Sequence, residues 1–426
     1  MPGEPLYLGL DLGTSGARAV AIDGAGAVAA TGRAALAEFG ADHRDPAVWW
    51  AAAEAALAAA LGAIDPAWVA ALAVDGTSGT LLPVDAGGAP LAKGVMYNDP
   101  CTDRHVLAAI AAHAPPASGA HGSSSGLARA LVLQAETRPA AVLHQADWIA
   151  AQLTGVPATD ENNALKTGYD PVAGAWPDWI AATGLDMALL PPVYPPGSRV
   201  APVTPATAAA FGLRQETLVI AGTTDGCASF LATGAAAPGD AVTALGSTLT
   251  LKILSDRPVF ASAYGIYSHR LMGRWLAGGA SNTGGTVLLA HFDADRIAEL
   301  SARIDPDAPT GLDYYPLVRP GERFPIADPD LPPKLTPRPA DDADFLHGLL
   351  DGIARIERLG YDRLAEQGAP RPARVRAVGG GARNGAWTRL RQRRLGVPFA
   401  DVVSEEAAYG TALLARHGAR AGRVPA

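Results

Sequence analysis

From Leu6 to Asp23 the chain reads LYLGLDLGTSGARAVAID. Leu6, Leu8, Leu10 and Leu12 share one parity, and Tyr7, Gly9 and Asp11 the other. That period of two predicts a strand with an apolar face. A second strand follows the turn Gly13-Thr14-Ser15-Gly16, whose glycines let the backbone reverse tightly and leave two hydroxyls beside backbone N–H groups. Such a turn can wrap a phosphate, and Asp11 at its mouth suits a magnesium ion better than a core. Gly24-Ala25-Gly26 turns into a further apolar run, so the chain opens as an antiparallel meander. Asp45-Pro46 predicts a capped helix carrying Trp49 and Trp50. The apolar run from Val69 to Val74 predicts a buried strand that leads into Asp75-Gly76-Thr77-Ser78-Gly79-Thr80. Residues 114–126 read as a loop, and Ala140 to Leu153 as a helix.

Leu218 to Gly222 predicts another short buried strand, followed by Thr223-Thr224-Asp225-Gly226 and a helix of small residues starting near Cys227. The pattern then restarts. Val242 to Leu245 runs into Gly246-Ser247-Thr248, and Leu249, Leu251 and Ile253 alternate on the way out. This repeat places a domain boundary near residue 230, giving domains 1–230 and 231–426. Asp305 to Pro339 is proline-rich yet carries Tyr314, Tyr315, Phe324 and Ile326, which predicts an ordered surface excursion. Phe345, Leu346, Leu349, Leu350, Ile353 and Ile356 mark an amphipathic helix. A strand from Val375 to Val378 ends in Gly379-Gly380-Gly381, with Asn384 placed to cap the next helix, so N–H groups and a positive dipole end are presented together. A last helix begins near Ala407.

The bulk numbers narrow the class. At 426 residues two domains are expected, and 49% hydrophobic against 18% charged residues excludes a largely disordered chain. A formal charge of -8 with no basic stripe points away from nucleic acid and membrane surfaces. Lysine occurs only at Lys93, Lys166, Lys252 and Lys334, which with the alanine runs reads as coding bias. Cys101 and Cys227 cannot form a disulfide framework, and the nine histidines show no metal-ligand spacing. Met1-Pro2-Gly3-Glu4 lacks the basic start of a signal peptide, and the apolar run Ala51 to Ile64 is too short to span a bilayer, so a cytoplasmic protein is expected.

Taken singly, the chemical signals have plain structural readings. A GTSG or GGG turn is an ordinary turn in most chains. Ser78 lacks the G-x-S-x-G spacing of a hydrolase nucleophile. Trp49 and Trp50 read as packing residues, and Asp225 could simply cap the helix it precedes. Together they say more. Two hydroxyl-bearing hairpin turns, each opening a domain, a triple-glycine turn at a helix start and an acidic residue at the boundary are what phosphoryl transfer needs. That chemistry relies on alignment and charge stabilisation more than on covalent help.

At these residues the sequence resembles the FGGY carbohydrate kinases of the actin-like, ribonuclease-H-like superfamily. LGLDLGTSGARAVAID resembles the family's first phosphate loop, DPAVWW its early helix, AGTTDG its catalytic-aspartate strand end and ALGST its second phosphate loop. YYPLVRPGERFPIADP is similar to the second-domain signature and AVGGGARNGAW to the adenosine motif. The resemblance implies an α/β fold of two ribonuclease-H-like domains flanking a cleft, with the last helix, 407–426, packing back on the first domain. It implies ATP and Mg2+ as cofactors and a small-molecule sugar as partner, and leaves monomer or homodimer open.

By the same resemblance, Asp225 is the base that accepts the hydroxyl proton. Asp11 holds magnesium through water and touches the sugar. Gly13, Thr14 and Ser15 cradle the transferring phosphoryl group, with Thr14 among the catalytic residues, and Gly246, Ser247 and Thr248 bind phosphate from the opposite side. Gly380, Gly381, Asn384 and Trp387 line the adenosine, while Ser78 and Asn98 bind sugar hydroxyls. Domain closure would exclude water. The chain departs from many relatives where Gly76-Thr77-Ser78-Gly79 replaces a bulky Gln-Met-His-Gly, and Tyr97-Asn98-Asp99-Pro100 replaces Trp-Asn-Asp and Arg. Those features resemble a compact D-ribulose kinase branch, which implies conversion of D-ribulose to D-ribulose 5-phosphate. The alternatives are a D-xylulose or polyol kinase of the same family and a sugar-independent actin-like ATPase.

Overall fold

The structure, a computed structural model, describes residues 4–421. The chain forms two compact units. One comprises the residues up to Ala232 together with His269–Gly273 and those from Glu406 onward; the other comprises Thr233–Ser268 and Arg274–Glu405.

The first unit is built on strands β1 (Leu6–Leu12), β2 (Gly16–Ile22), β3 (Val28–Ala35) and β4 (Val69–Gly76). Two short pairs, β5 (Leu81–Val84) with β6 (Ala141–His144) and β7 (Thr159–Asp160) with β8 (Val193–Tyr194), lie outside its main sheet. With β9 (Arg199–Pro202) and β10 (Leu218–Thr224) the main sheet has six strands in the order β3-β2-β1-β4-β10-β9. The glycine turns drive the antiparallel meander β1-β2-β3, and Asp23 Oδ1 fixes the second of them by accepting from the N–H groups of Ala25, Gly26 and Ala27. β4 then adds in parallel to β1, and β10 in parallel to β4.

The opening strand is buried on both faces, not one. Leu8, Leu10 and Leu12 enter the main core with Trp49, and burial of each contributes roughly 1.5–3 kcal/mol. Tyr7 and Gly9 lie under the terminal helix Ala407–Arg420. A Cβ on Gly9 would stand 2.1 Å from the Ala408 carbonyl oxygen, so only glycine lets the helix approach so closely. The alanines of helix Pro46–Leu61 likewise serve packing, with Ala52, Ala53, Ala56 and Ala60 fully buried.

Ala140 to Leu153 is not one helix. It is β6 followed by the helix Gln145–Thr154, because pairing with β5 claims the short apolar run 141–144 before the helix starts. Asp45 caps helix 46–61 as expected, its carboxylate accepting from Ala47 N at 2.9 Å.

The second unit repeats the scheme with β11 (Asp240–Leu245), β12 (Leu249–Ser255), β13 (Tyr267–Leu271, of which Tyr267 and Ser268 belong to this unit), β14 (Arg274–Ser281) and β15 (Arg374–Val378), in the order β13-β14-β12-β11-β15. β11 and β12 form the opening hairpin, and β15 lies parallel to β11 as β4 lies parallel to β1. The amphipathic helix Asp342–Glu366 covers this sheet with Phe345, Leu346, Leu349, Leu350 and Ile353. The proline-rich excursion contains neither helix nor strand, yet Tyr314 and Phe324 are buried in the same core. No helix among the described residues is long and apolar enough to cross a membrane.

Candidate active site

In the first unit, three parallel strands end together. Register places Asp11 of β1 beside Asp75 of β4, and Asp75 beside Thr223 of β10. Chains turn out of parallel strands at their carboxyl ends, and ligands bind there. Asp225 follows Thr223 by two residues as the first residue of helix Asp225–Ala232, and its Oδ1 accepts from Gly226 N at 2.6 Å. Asp11 and Asp225 stand close enough for the Asp225 charge to raise the proton affinity of Asp11, although burial contributes more. Arg18 across the hairpin, 3.8 Å from Asp11, works in the opposite direction.

Asp75, which the sequence reading left without a role, is fully enclosed. Burial and the Asp11 charge hold its proton well above the usual carboxylate range. Thr411 donates to its Oδ2, while Oδ1 has no donor. Burial therefore favours the protonated form of Asp75, close enough to Asp11 for the two carboxyl groups to share a hydrogen bond.

Thr14 and Ser15 stand exposed on the turn after β1, their N–H groups taking no acceptor among the described residues. Gly13 N closes the turn on the Gly16 carbonyl at 3.0 Å. Ser78 sits on the turn after β4 with its Oγ enclosed and unpartnered, and Asn98 is exposed on a neighbouring loop. That turn is fixed from beneath. Thr77 donates from N and Oγ1 to Gln145 Oε1 at 3.2 and 2.8 Å, and Thr80 Oγ1 accepts from Tyr97 N at 3.1 Å.

A buried polar layer supports β10. Asn162 donates to Thr223 Oγ1 at 2.9 Å, and Asp160 accepts from the N–H groups of Asn162 and Asn163 at 2.8 and 3.1 Å. Burial, reinforced by Asp147, pushes Asp160 up to about 7. In the unfolded chain this carboxyl ionises near its ordinary 3.8, so between those values the native state holds the extra proton and stability falls as pH rises. Asp160→Asn should remove that component. Urea midpoints converted to free energy should show wild type losing up to ~1.4 kcal/mol more per pH unit than the variant between pH 5 and 6.5. Parallel slopes would contradict the assignment.

The second unit holds a cavity of 730 Å³, within the range of roughly 300–1,000 Å³ typical of small-molecule sites. Gly246 and Ser247 of the β11–β12 turn, Gly380 and Gly381 after β15, Asn384 and Trp387 all line it; Thr248 does not. Ser247 and Thr248 N–H groups have no acceptor among the described residues, while the Gly246 and Ser247 carbonyls accept from the N–H groups of Gly285 and Thr286. Asn384 Oδ1 accepts from Trp387 N at 3.0 Å and so caps helix Gly385–Leu395. Trp387 is 1% exposed, a floor beneath Gly381 and not an open stacking platform. The sequence reading missed the apolar wall, Leu288, Leu289, Ile297 and Ala298, supplied by helices Gly285–Leu289 and Ala294–Ser301. Leu289 is 61% exposed, an apolar side chain of the cavity wall left uncovered.

Comparison with known proteins agrees with this arrangement. Residues 6–112 and 132–232 match the N-terminal domain of the FGGY family of carbohydrate kinases, and residues 241–419 match its C-terminal domain. The chain is 28% identical to a xylulose kinase of Streptomyces coelicolor, covering 92% of this chain and 84% of that protein. It is also 28% identical to a xylulose kinase of Streptomyces rubiginosus, covering 99% and 89%. A solved xylulose kinase from Rhodospirillum rubrum shares the fold with a TM-score of 0.84 at 24% identity, covering 98% of this chain and 91% of that one. With both of the family's domains matched along nearly its whole length, the chain belongs to the FGGY family of carbohydrate kinases.

Proposed function

We propose that this kinase transfers the γ-phosphoryl group of ATP to a primary hydroxyl of a ketopentose, D-ribulose in the first instance, giving D-ribulose 5-phosphate. The observation that carries the reading is the gathering of Asp11, Asp75 and Asp225 at the carboxyl ends of β1, β4 and β10. Asp225 orients the attacking hydroxyl and accepts its proton on a carboxylate oxygen. An ordinary carboxylate is a weak base for an alcohol, so the proton moves late, once bond formation to phosphorus has made the hydroxyl acidic.

Thr14 and Ser15 offer hydroxyls and free N–H groups to the transferring phosphoryl oxygens, with Gly13 closing their turn. Gly246, Ser247 and Thr248 offer the same to the nucleotide's phosphates. The 730 Å³ cavity takes the adenosine, its apolar wall against the base and Gly380, Gly381 and Asn384 at the backbone edge. Asp11 suits Mg2+. It presents hard carboxylate oxygens at the end of β1, and an ion that draws its other ligands from phosphates and water needs no protein cage. When bound, magnesium neutralises charge on the phosphate oxygens. Ser78 and Asn98 are assigned to the sugar hydroxyls.

D-Ribulose is favoured by the Gly76-Thr77-Ser78-Gly79 turn and the Tyr97-Asn98 pair. D-Xylulose is the second reading, favoured by the two Streptomyces relatives named for it. The test is kcat/KM across D-ribulose, L-ribulose, D-xylulose, L-xylulose, ribitol and glycerol. D-Ribulose should exceed every other acceptor by at least tenfold; a higher value for D-xylulose would overturn the substrate assignment and install the second reading.

A further inference from the structure

Arg129 is 2% exposed, and among the described residues no carboxylate lies within ion-pair distance of it. Asp99, the nearest acidic residue in its surroundings, turns its carboxylate to Arg44 instead, at 2.7 and 3.1 Å. A buried cation without a counter-ion is costly unless its donors are satisfied. All five of them are, and every acceptor is a backbone carbonyl. Nη1 donates to Gly79 at 3.0 Å and Ser124 at 2.9 Å, Nη2 to Tyr97 at 2.6 Å and Asp99 at 3.0 Å, and Nε to Asp99 at 3.2 Å.

The four carbonyls belong to three segments far apart in sequence, and their positions are informative. Gly79 adjoins Ser78, and Tyr97 and Asp99 bracket Asn98. Gly79 has φ +86, and a Cβ there would stand 3.4 Å from Arg129 Nη1, so the turn needs glycine where it meets the guanidinium. A pure packing role would be met by leucine or methionine. A planar fork with five donors is what fixes three loops at set distances from one another.

We propose that Arg129 is a positioning residue for the sugar site: its guanidinium locks the turn carrying Ser78 and the loop carrying Asn98 into one rigid wall. The inference rests on the ketopentose reading above. Lysine cannot replace it, since an ammonium has three donors on one atom and cannot span carbonyls on opposite edges of a fork.

The experiment compares Arg129→Lys, Arg129→Met and Arg129→Ala by sugar and ATP kinetics and by amide hydrogen exchange. KM for the ketopentose should rise at least tenfold in R129K and R129M, with kcat within threefold and ATP affinity, which belongs to the second unit's cavity, within twofold. Exchange at Tyr97, Asp99 and Cys101, whose N–H groups bond to Thr80 Oγ1, Met96 O and Ser123 O, should quicken at least tenfold. Ethylguanidinium added to R129A should recover at least threefold of the lost KM; should R129A fail to fold, R129K carries the test. A sugar KM within twofold of wild type in R129K and R129M overturns the proposal, and does so even if exchange quickens, since Arg129 would then be structural only. A wild-type protein that phosphorylates no ketopentose would remove the functional reading instead, while the exchange data would still report on the clamp.

Discussion

Asp225→Asn should lower sugar-dependent ADP formation by about a thousandfold, within the 10²–10⁴ range for a positioned general base, while ATP affinity stays within twofold. The substitution keeps the size of the side chain and its hydrogen bond from Gly226 N, so helix 225–232 should still start in the same place. On the proposed reading, what is lost is the oxygen that takes the sugar's proton, together with the negative charge that acts on Asp11. ATP binding is the internal control, since the cavity assigned to adenosine lies wholly in the other unit. Steady-state kinetics with a nucleotide titration would separate the two effects. If the variant kept a tenth of wild-type turnover, Asp225 would be no more than a helix-terminal residue.

The second large effect is on stability. Arg391 and Glu357 form a fully buried, two-point ion pair in the second unit at 2.6 and 2.8 Å, with side chains 0% and 1% exposed. Glu357 also accepts from Thr243 at 2.5 Å, tying the pair to the middle of β11, the strand that delivers Gly246 and Ser247 to the cavity assigned to the nucleotide. Glu357→Ala strands a guanidinium in the core and should destabilise the second unit by about 3–5 kcal/mol. Replacing both partners together with methionine removes the stranded charge and should recover most of that loss, because an apolar pair of similar volume escapes the desolvation penalty. Urea unfolding followed by loss of ATP binding would measure both. Equal destabilisation in the single and double variants would show that packing, not charge, governs this site.

Much of the scaffold was legible because its signals are local. The strand-turn-strand segments at 6–23 and 242–253 announce themselves by period two around glycine-hydroxyl turns, and Asn384 by its place before a helix. The features that were not legible depend on distant partners. Asp75 looks like one more turn residue until parallel pairing sets it against Asp11, 64 positions earlier. The burial of Tyr7 and Gly9 comes from a helix about 400 residues away, so the apolar face read from the alternation is not the strand's only buried one. Four residues at 141–144 carry too little pattern to separate a strand from the helix that follows. The apolar wall of the cavity assigned to the nucleotide comes from two short helices whose side chains have no motif, whereas the glycines of its lining do.

The most direct test of sugar-dependent phosphoryl transfer is ADP production by the purified protein with magnesium and ATP, with and without saturating D-ribulose. The geometry of Asp225, Asp11 and the Thr14-Ser15 turn predicts turnover that rises at least a hundredfold when the sugar is added. Equal ADP release without any sugar or polyol would contradict it and make the protein an ATPase that uses water as its acceptor.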